Sequence, residues 1–185
     1  MSSSPPSRRH LALVGFRAVG KSVVARELAA ALGQETVDLD SSIEQRCGQS
    51  ITEIFNGPGE AFFRELETQR LLHLLELPSP QIIATGGGAV LAPENREALK
   101  SHCRSIVWLR AQPETIRKRI ETDSQSPETR PPLLGKDSRD EVELVLKART
   151  PLYSAIADYA LDTDRRSPTE IVQKISEHLR QEGRV

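Results

Sequence analysis

Short apolar runs alternate along the chain with longer stretches in which apolar residues recur every three or four positions. The runs predict strands at residues 11–14, 36–39, 82–85, 105–109 and 159–161. The first, Leu11-Ala12-Leu13-Val14, is apolar throughout, as a strand buried on both faces of a parallel sheet is. The longer stretches predict helices at residues 21–32, 42–47, 51–56, 59–77, 93–101, 113–121, 139–156 and 168–181. In the first helix Val24, Leu28, Ala31 and Leu32 are apolar or small, and Gly33 is a stop signal. The last starts on Ser167 as N-cap, with Pro168 in the first turn and Glu170 completing a capping box. Strands alternating with helices of this length predict an α/β fold on a parallel sheet. Residues 122–138 break the pattern. They are polar and rich in proline, yet hold Arg130, Leu133 and Leu134, and read either as a linker or as a lid that closes over a site.

The junction between the first strand and the first helix carries the strongest chemistry. Gly15-Phe16-Arg17-Ala18-Val19-Gly20-Lys21-Ser22 fits the phosphate-binding loop G-x-x-x-x-G-K-[ST] in its required strand–loop–helix setting. Gly15 and Gly20 let the backbone curl with its N–H groups inward around a phosphate, and the helix N-terminus adds its dipole. Lys21 is expected to reach the β/γ oxygens and Ser22 to offer its hydroxyl to Mg²⁺. Gly15, Ala18, Val19, Gly20, Lys21, Ser22 and Val23 are thus the expected ATP-phosphate cradle.

Composition narrows the class. At 185 residues, one domain is expected. With 25 Lys+Arg against 26 Asp+Glu, the net charge of −1 argues against a nucleic-acid binder led by bulk charge. No apolar stretch is long enough to span a membrane. Residues 1–9 lack the apolar segment of a secretory signal and are expected to be a disordered tail, which leaves residues 10–182 as the domain. Cys47 and Cys103 lie far apart without metal-type spacing, which suits a reduced cytoplasmic protein. His10, His73, His102 and His178 are scattered, and surface or incidental roles are expected of them. A monomer is expected.

Further groups converge on the carboxyl ends of the strands, where open parallel sheets bind ligands. If the second strand continues through Asp38-Leu39-Asp40, alternation puts both carboxylates on one face. One then suits Mg²⁺ and the other a hydroxyl proton; otherwise the pair caps a helix before Ser41-Ser42. Gly86, Gly87 and Gly88 follow the third strand and permit close approach of a ligand to backbone N–H groups. Arg64, Arg130 and Arg149 sit in what read as non-helical or junction contexts, and guanidinium suits carboxylate or phosphate. Glu60, Glu65 and Glu67 are expected to be surface charges or arginine partners.

Taken in order, these stretches resemble the shikimate kinase family of P-loop enzymes from about Leu11 to about Leu179. They are Gly15–Ser22, Asp38-Leu39-Asp40, Ser50 through Glu67 around Phe63-Arg64-Glu65, Thr85–Val90, Arg130–Leu134 and Arg149–Tyr153. The resemblance implies a five-stranded parallel sheet of order 2-3-1-4-5, a substrate-binding region at about residues 40–67 and a lid at about 122–138. It implies phosphoryl transfer from ATP to the 3-hydroxyl of shikimate. Asp40 is then the base, with Lys21 and Arg130 also catalytic, and Asp38 acts through Mg²⁺-bound water. Arg64 and Arg149 clamp the substrate carboxylate, and Gly86, Gly87 and Gly88 form the acceptor wall. Arg130 reaches both substrates, Arg119 stacks on adenine opposite Pro168, and Arg166 lies near the nucleotide. Val23 stands where the family often has Thr, and the lid carries an extra proline. A gluconate or nucleotide kinase and a catalytically silent nucleotide-binding module are the alternatives; a nucleotide acceptor fits poorly against the Gly86–Gly88 wall.

Overall fold

The computed structural model describes residues 8–122 and 139–184. Residues 1–7 of the expected tail, and residues 123–138 of the expected lid with Arg130, lie outside the described residues. The tail expectation ran too far at its other end. Arg9 is tied down by its backbone N–H to the His102 carbonyl at 2.9 Å, and its guanidinium donates to the carbonyls of Leu77 and Pro78.

Strands β1 (His10–Val14), β2 (Glu35–Asp38), β3 (Gln81–Ala84), β4 (Cys103–Arg110) and β5 (Tyr159–Asp162) form one parallel sheet in the order β2-β3-β1-β4-β5. The helices are α1 (Lys21–Leu32), α2 (Leu39–Cys47), α3 (Ile51–Asn56), α4 (Glu60–Glu76), α5 (Pro93–His102), α6 (Pro113–Thr122), α7 (Arg139–Ile156) and α8 (Pro168–Gln181). A short 3₁₀ turn, Ala89–Leu91, follows the triple glycine and was not foreseen from the pattern.

Every residue of β1 is buried, which explains the uniform apolarity of Leu11 to Val14. Strand alternation sends Leu11 and Leu13 to the face covered by Val24, Leu28, Ile116, Ile175 and Leu179. Ala12 and Val14 meet Ile43, Leu71, Leu74 and Leu99 on the other. Each such aliphatic side chain contributes about 1.5–3 kcal/mol by leaving water. The centre of the sheet is therefore rigid where the P-loop leaves it.

His10 is fully buried, against the surface or incidental role expected of it. Its Nδ1 accepts the Gln81 N–H at 3.3 Å, so Nε2 carries the proton and donates to the Leu75 carbonyl at 3.1 Å. Loss of hydration on burial lowers its pKa, which keeps the ring neutral in this pairing.

Three local expectations fail for identifiable reasons. The second strand stops at Asp38, because the Asp38 carboxylate accepts the Ser41 N–H at 3.1 Å and starts α2 as its N-cap. Asp40 therefore sits in the first turn of a helix, and the alternation argument for a shared strand face does not hold. Arg64 and Arg149 lie inside α4 and α7, as the helical pattern over 59–77 and 139–156 has it and against the junction reading of their local contexts, and Pro151 is accommodated within α7.

Candidate active site

The P-loop owes its shape to backbone geometry that few residues adopt. Gly15 has φ 139° and Gly20, the N-cap of α1, has φ 96°. A Cβ on Gly15 would collide with the carbonyl oxygen of Leu109 on β4. Ala18 has φ 60°, a left-handed turn for a residue with a Cβ, and such strain persists where the surroundings impose it. The Val19 side chain is buried in the core, whereas Val23 is exposed. Lys21 is buried and folds back over the loop, donating to the carbonyls of Gly15 at 2.9 Å and Phe16 at 2.8 Å. These bonds hold the ammonium over the loop that a phosphate enters.

Ser22 donates its hydroxyl to one oxygen of Asp38, while the other oxygen of Asp38 caps α2. The two hard oxygen ligands stand beside the P-loop. Mg²⁺ keeps several waters and commonly takes one or two protein oxygens plus substrate phosphates, so this pair fits it.

The acceptor side is a cleft beside the P-loop. Arg17, Asp40, Arg64, Glu67, Arg149 and the Gly86–Gly88 backbone line it, over an apolar floor of Ile51, Phe55 and Phe63. The Phe55 and Phe63 rings pack at 5.1 Å, and the Arg64 guanidinium lies 5.2 Å from the Phe63 centroid. Arg64 donates to Glu67 at 2.8 Å, and to Glu60 at 3.0 and 3.2 Å. That orients its fork before any ligand arrives. Arg149 donates to the Gly87 carbonyl at 3.2 Å, and the Tyr153 hydroxyl donates to the same oxygen at 2.6 Å. Burial pushes the Tyr153 phenol up to about 12, so it remains a donor at neutral pH.

The glycines are small because the wall is crowded. A Cβ on Gly86 would strike the Glu67 carboxylate and come within 2.7 Å of Asp40 Oδ1, and one on Gly88 would run into the Arg64 guanidinium. A bare backbone therefore faces the charged cluster.

Arg17 is the residue that sequence reasoning missed here. Glu67 is 1% exposed and is the arginine partner of its two expected roles, not a surface charge. Its signal was the i, i+3 spacing to Arg64 on α4, which puts the pair on one helix face. Arg17 occupies a free position of the loop motif, so spacing carries no information about it.

Burial raises the Glu67 carboxyl above its ordinary value, with the Asp40 charge adding to the rise and Arg64 pulling it back. A raised pKa means that the folded protein holds this proton more tightly than the unfolded chain. Its contribution to stability is complete below the unfolded carboxyl value of about 4.3 and is lost as pH rises through the folded value. The stability difference between wild type and Glu67→Gln, from urea unfolding across about pH 4 to 8, is therefore expected to shift against wild type as pH rises. A pH-independent difference would contradict the burial argument.

The nucleotide-side expectations fall on one edge. The Arg119 guanidinium donates to the Ala18 carbonyl at 3.2 Å, and to the Thr163 hydroxyl at 3.0 Å and carbonyl at 2.9 Å. It thus ties the P-loop to the end of β5. Arg166 donates to the Asp162 carbonyl, and Pro168 occupies the first turn of α8 behind its Ser167–Glu170 capping box. The structure brings the P-loop, Asp38, Asp40, Arg64, Arg149 and the glycine wall to one end of the sheet. Arg119 borders the loop from the other side. Among the described residues no helix is long and apolar enough to cross a membrane.

Comparison with known proteins agrees with this architecture. The family profile described as Shikimate kinase matches residues 17–180. The shikimate kinase of Rhodopirellula baltica is 37% identical over 175 residues, covering 95% of this chain and 92% of that protein. The shikimate kinase of Pseudomonas paraeruginosa is 43% identical over 171 residues, covering 92% and 96%. Among solved structures, the shikimate kinase from Acinetobacter baumannii in complex with shikimate superposes with a TM-score of 0.87 at 34% identity, covering 95% of each chain. The chain belongs to the shikimate kinase family.

Proposed function

We propose that this protein transfers the γ-phosphoryl group of ATP to the 3-hydroxyl of shikimate, giving shikimate 3-phosphate and ADP. One observation carries the reading. A carboxylate (Asp40), three guanidiniums and a glycine wall share a small cleft that opens beside a P-loop. Arg17, Arg64 and Arg149 against Asp40 and Glu67 leave an excess of one positive charge, which suits an acceptor with one carboxylate.

In this mechanism the P-loop N–H groups and Lys21 hold the ATP phosphates, and the ammonium leaves its two loop carbonyls to do so. Ser22, and Asp38 through bound water, would hold Mg²⁺, which would supply charge neutralisation for the transferring group. Arg64 and Arg149 grip the acceptor carboxylate, and the bare backbone of Gly86 to Gly88 lets the hydroxylated ring approach. Asp40 takes the proton from the acceptor hydroxyl, the oxygen forms its bond to phosphorus, and ADP departs with the electrons of the broken bridge. Arg119, Arg166 and Pro168 border the adenine, and Arg130 on the lid reaches the transferring group. The protein acts as a cytoplasmic monomer, with one kinase domain that starts at Arg9 rather than at residue 10.

The deciding assay is ADP release with Mg²⁺-ATP and shikimate, gluconate, AMP or no acceptor. Turnover with shikimate alone is the expected result. Turnover with gluconate or AMP alone overturns the acceptor assignment, and ATP binding without turnover of any acceptor makes this a silent nucleotide-binding module.

The clamp is testable separately. Arg64→Lys is expected to raise the KM for shikimate by about 10-fold or more with a smaller change in kcat. An ammonium replaces two parallel hydrogen bonds by one, at about 1–2 kcal/mol. An unchanged KM in steady-state kinetics would remove Arg64 from the carboxylate clamp.

A further inference from the structure

The three carbonyls of the glycine wall do not share one fate. Those of Gly86 and Gly88 are bonded within the turn that follows, to the Ala89 N–H at 3.2 Å and the Leu91 N–H at 2.9 Å. The Gly87 carbonyl between them is taken by α7, where the Tyr153 hydroxyl donates to it at 2.6 Å and Arg149 at 3.2 Å. Tyr153 is 1% exposed, and its ring stacks on Trp108 of β4 with the centroids 5.8 Å apart. The phenol is therefore fixed against the sheet, and the shorter of the two bonds at Gly87 is its own.

The Gly87 carbonyl and the Gly88 N–H belong to one peptide unit. No peptide bond among the described residues is cis, and in a planar trans peptide the N–H points away from the C=O. Drawing the carbonyl to α7 therefore turns the Gly88 N–H away from α7. Gly88 lines the acceptor cleft, where an added Cβ would run into the Arg64 guanidinium of α4. The P-loop closes another flank of the same unit, since a Cβ on Gly87 would come within 3.3 Å of the Arg17 nitrogen and 3.6 Å of the Gly15 carbonyl oxygen. Arg149, the second donor at Gly87, is the group that grips the acceptor carboxylate. When its guanidinium turns to that carboxylate, the phenol is left to hold the peptide.

We propose that Tyr153 is a positioning residue of the acceptor site: its bond to the Gly87 carbonyl aims the Gly88 N–H into the cleft, at one of the two ring hydroxyls of the acceptor that are not phosphorylated. The proposal rests on shikimate being the acceptor of this cleft.

The experiment is steady-state kinetics of wild type and Tyr153→Phe with Mg²⁺-ATP and shikimate, 4-deoxyshikimate or 5-deoxyshikimate. Phenylalanine keeps the ring and its stack on Trp108 and removes the one donor. For shikimate kcat/KM is expected to fall about 5- to 10-fold, the scale of one hydrogen bond, mainly through KM. The KM for ATP is expected to stay at its wild-type value. With one of the two deoxy compounds the loss on going from wild type to Tyr153→Phe disappears, because the hydroxyl that the Gly88 N–H meets is no longer there. A merely structural role would lower all three compounds alike, so an equal loss on all three overturns the proposal. Wild-type kinetics in Tyr153→Phe overturns it as well. Should the variant fail to fold, isotope-labelled wild type carries the test by nuclear magnetic resonance. The Gly88 amide signal is expected to shift with shikimate and with one deoxy compound but not with the other, and equal shifts with all three overturn the proposal. A wrong acceptor reads differently: wild type turns over none of the three compounds, which overturns the acceptor assignment and the positioning role with it.

Discussion

Asp40→Asn lowers kcat with shikimate by about 10²- to 10⁴-fold, the usual span for loss of a positioned proton acceptor. The carboxylate is 8% exposed, stands in the first turn of α2 and faces Gly86 across the cleft. The amide has nearly the same shape and still donates and accepts hydrogen bonds, but it does not take a proton at neutral pH. Shikimate therefore still docks, and the loss appears in turnover more than in KM. Single-turnover phosphorylation with saturating ATP separates the chemical step from ADP release, and the ADP affinity of the variant serves as the control. Wild-type turnover in this variant would take Asp40 out of the proton path and leave it as a hydroxyl ligand.

Gly15→Ala is expected to be the most damaging substitution for the fold. The new methyl meets the Leu109 carbonyl oxygen, and β4 cannot retreat because Val14 pairs with Trp108 just before the contact and β5 holds Leu109 and Arg110 through Leu161 and Asp162. Overpacking of this kind costs about 1–3 kcal/mol. The φ of 139°, which side-chain-bearing residues rarely adopt, adds about 1–3 kcal/mol more. Together, at about 2–6 kcal/mol, they reach the lower end of the stability of an ordinary domain, about 5–15 kcal/mol. Gly20→Ala is the internal comparison. Its φ of 96° is also strained, but a Cβ there meets nothing within 4 Å. Urea unfolding should place the two variants in the order wild type, Gly20→Ala, Gly15→Ala. Equal midpoints for the two would mean that conformational strain alone, and not the approach to β4, makes glycine necessary at position 15.

What could be read from the chain beforehand follows the range of the forces involved. The P-loop was legible because its constraint is local: two glycines, a lysine and a serine at fixed spacing between a strand and a helix. The capping box at Ser167 and Glu170 was legible for the same reason and forms as expected. Asp38 and Asp40 were open to two readings, since a strand edge and a helix N-cap compete for the same aspartate; the Ser41 N–H decides it. Glu67 was left between a surface charge and an arginine partner because burial is not a property of a residue type; it is the partner of Arg64. A carboxylate enters the interior only when the rest of the fold brings Arg64 and the glycine wall to it. Arg17 lay in a variable position of a familiar motif and needed the neighbouring strands before its direction had meaning. His10 looked incidental because its partners, Leu75 and Gln81, are 65 and 71 residues away.

The order of the sheet also bears on how the chain is made. The central strand is synthesised first, yet its neighbours come late: the Thr85 hydroxyl that bonds Leu13 lies 72 residues downstream, and β4 later still. At ribosomal speeds of about 5–20 residues per second, β1 waits roughly 4–14 s for its first partner. Through that interval Leu11 to Val14, a run that ends with no exposed surface, has no sheet to enter. The nascent chain thus carries this apolar run without a partner strand, and the pace of translation through α2 to α4 sets how long ribosome-associated chaperones must cover it.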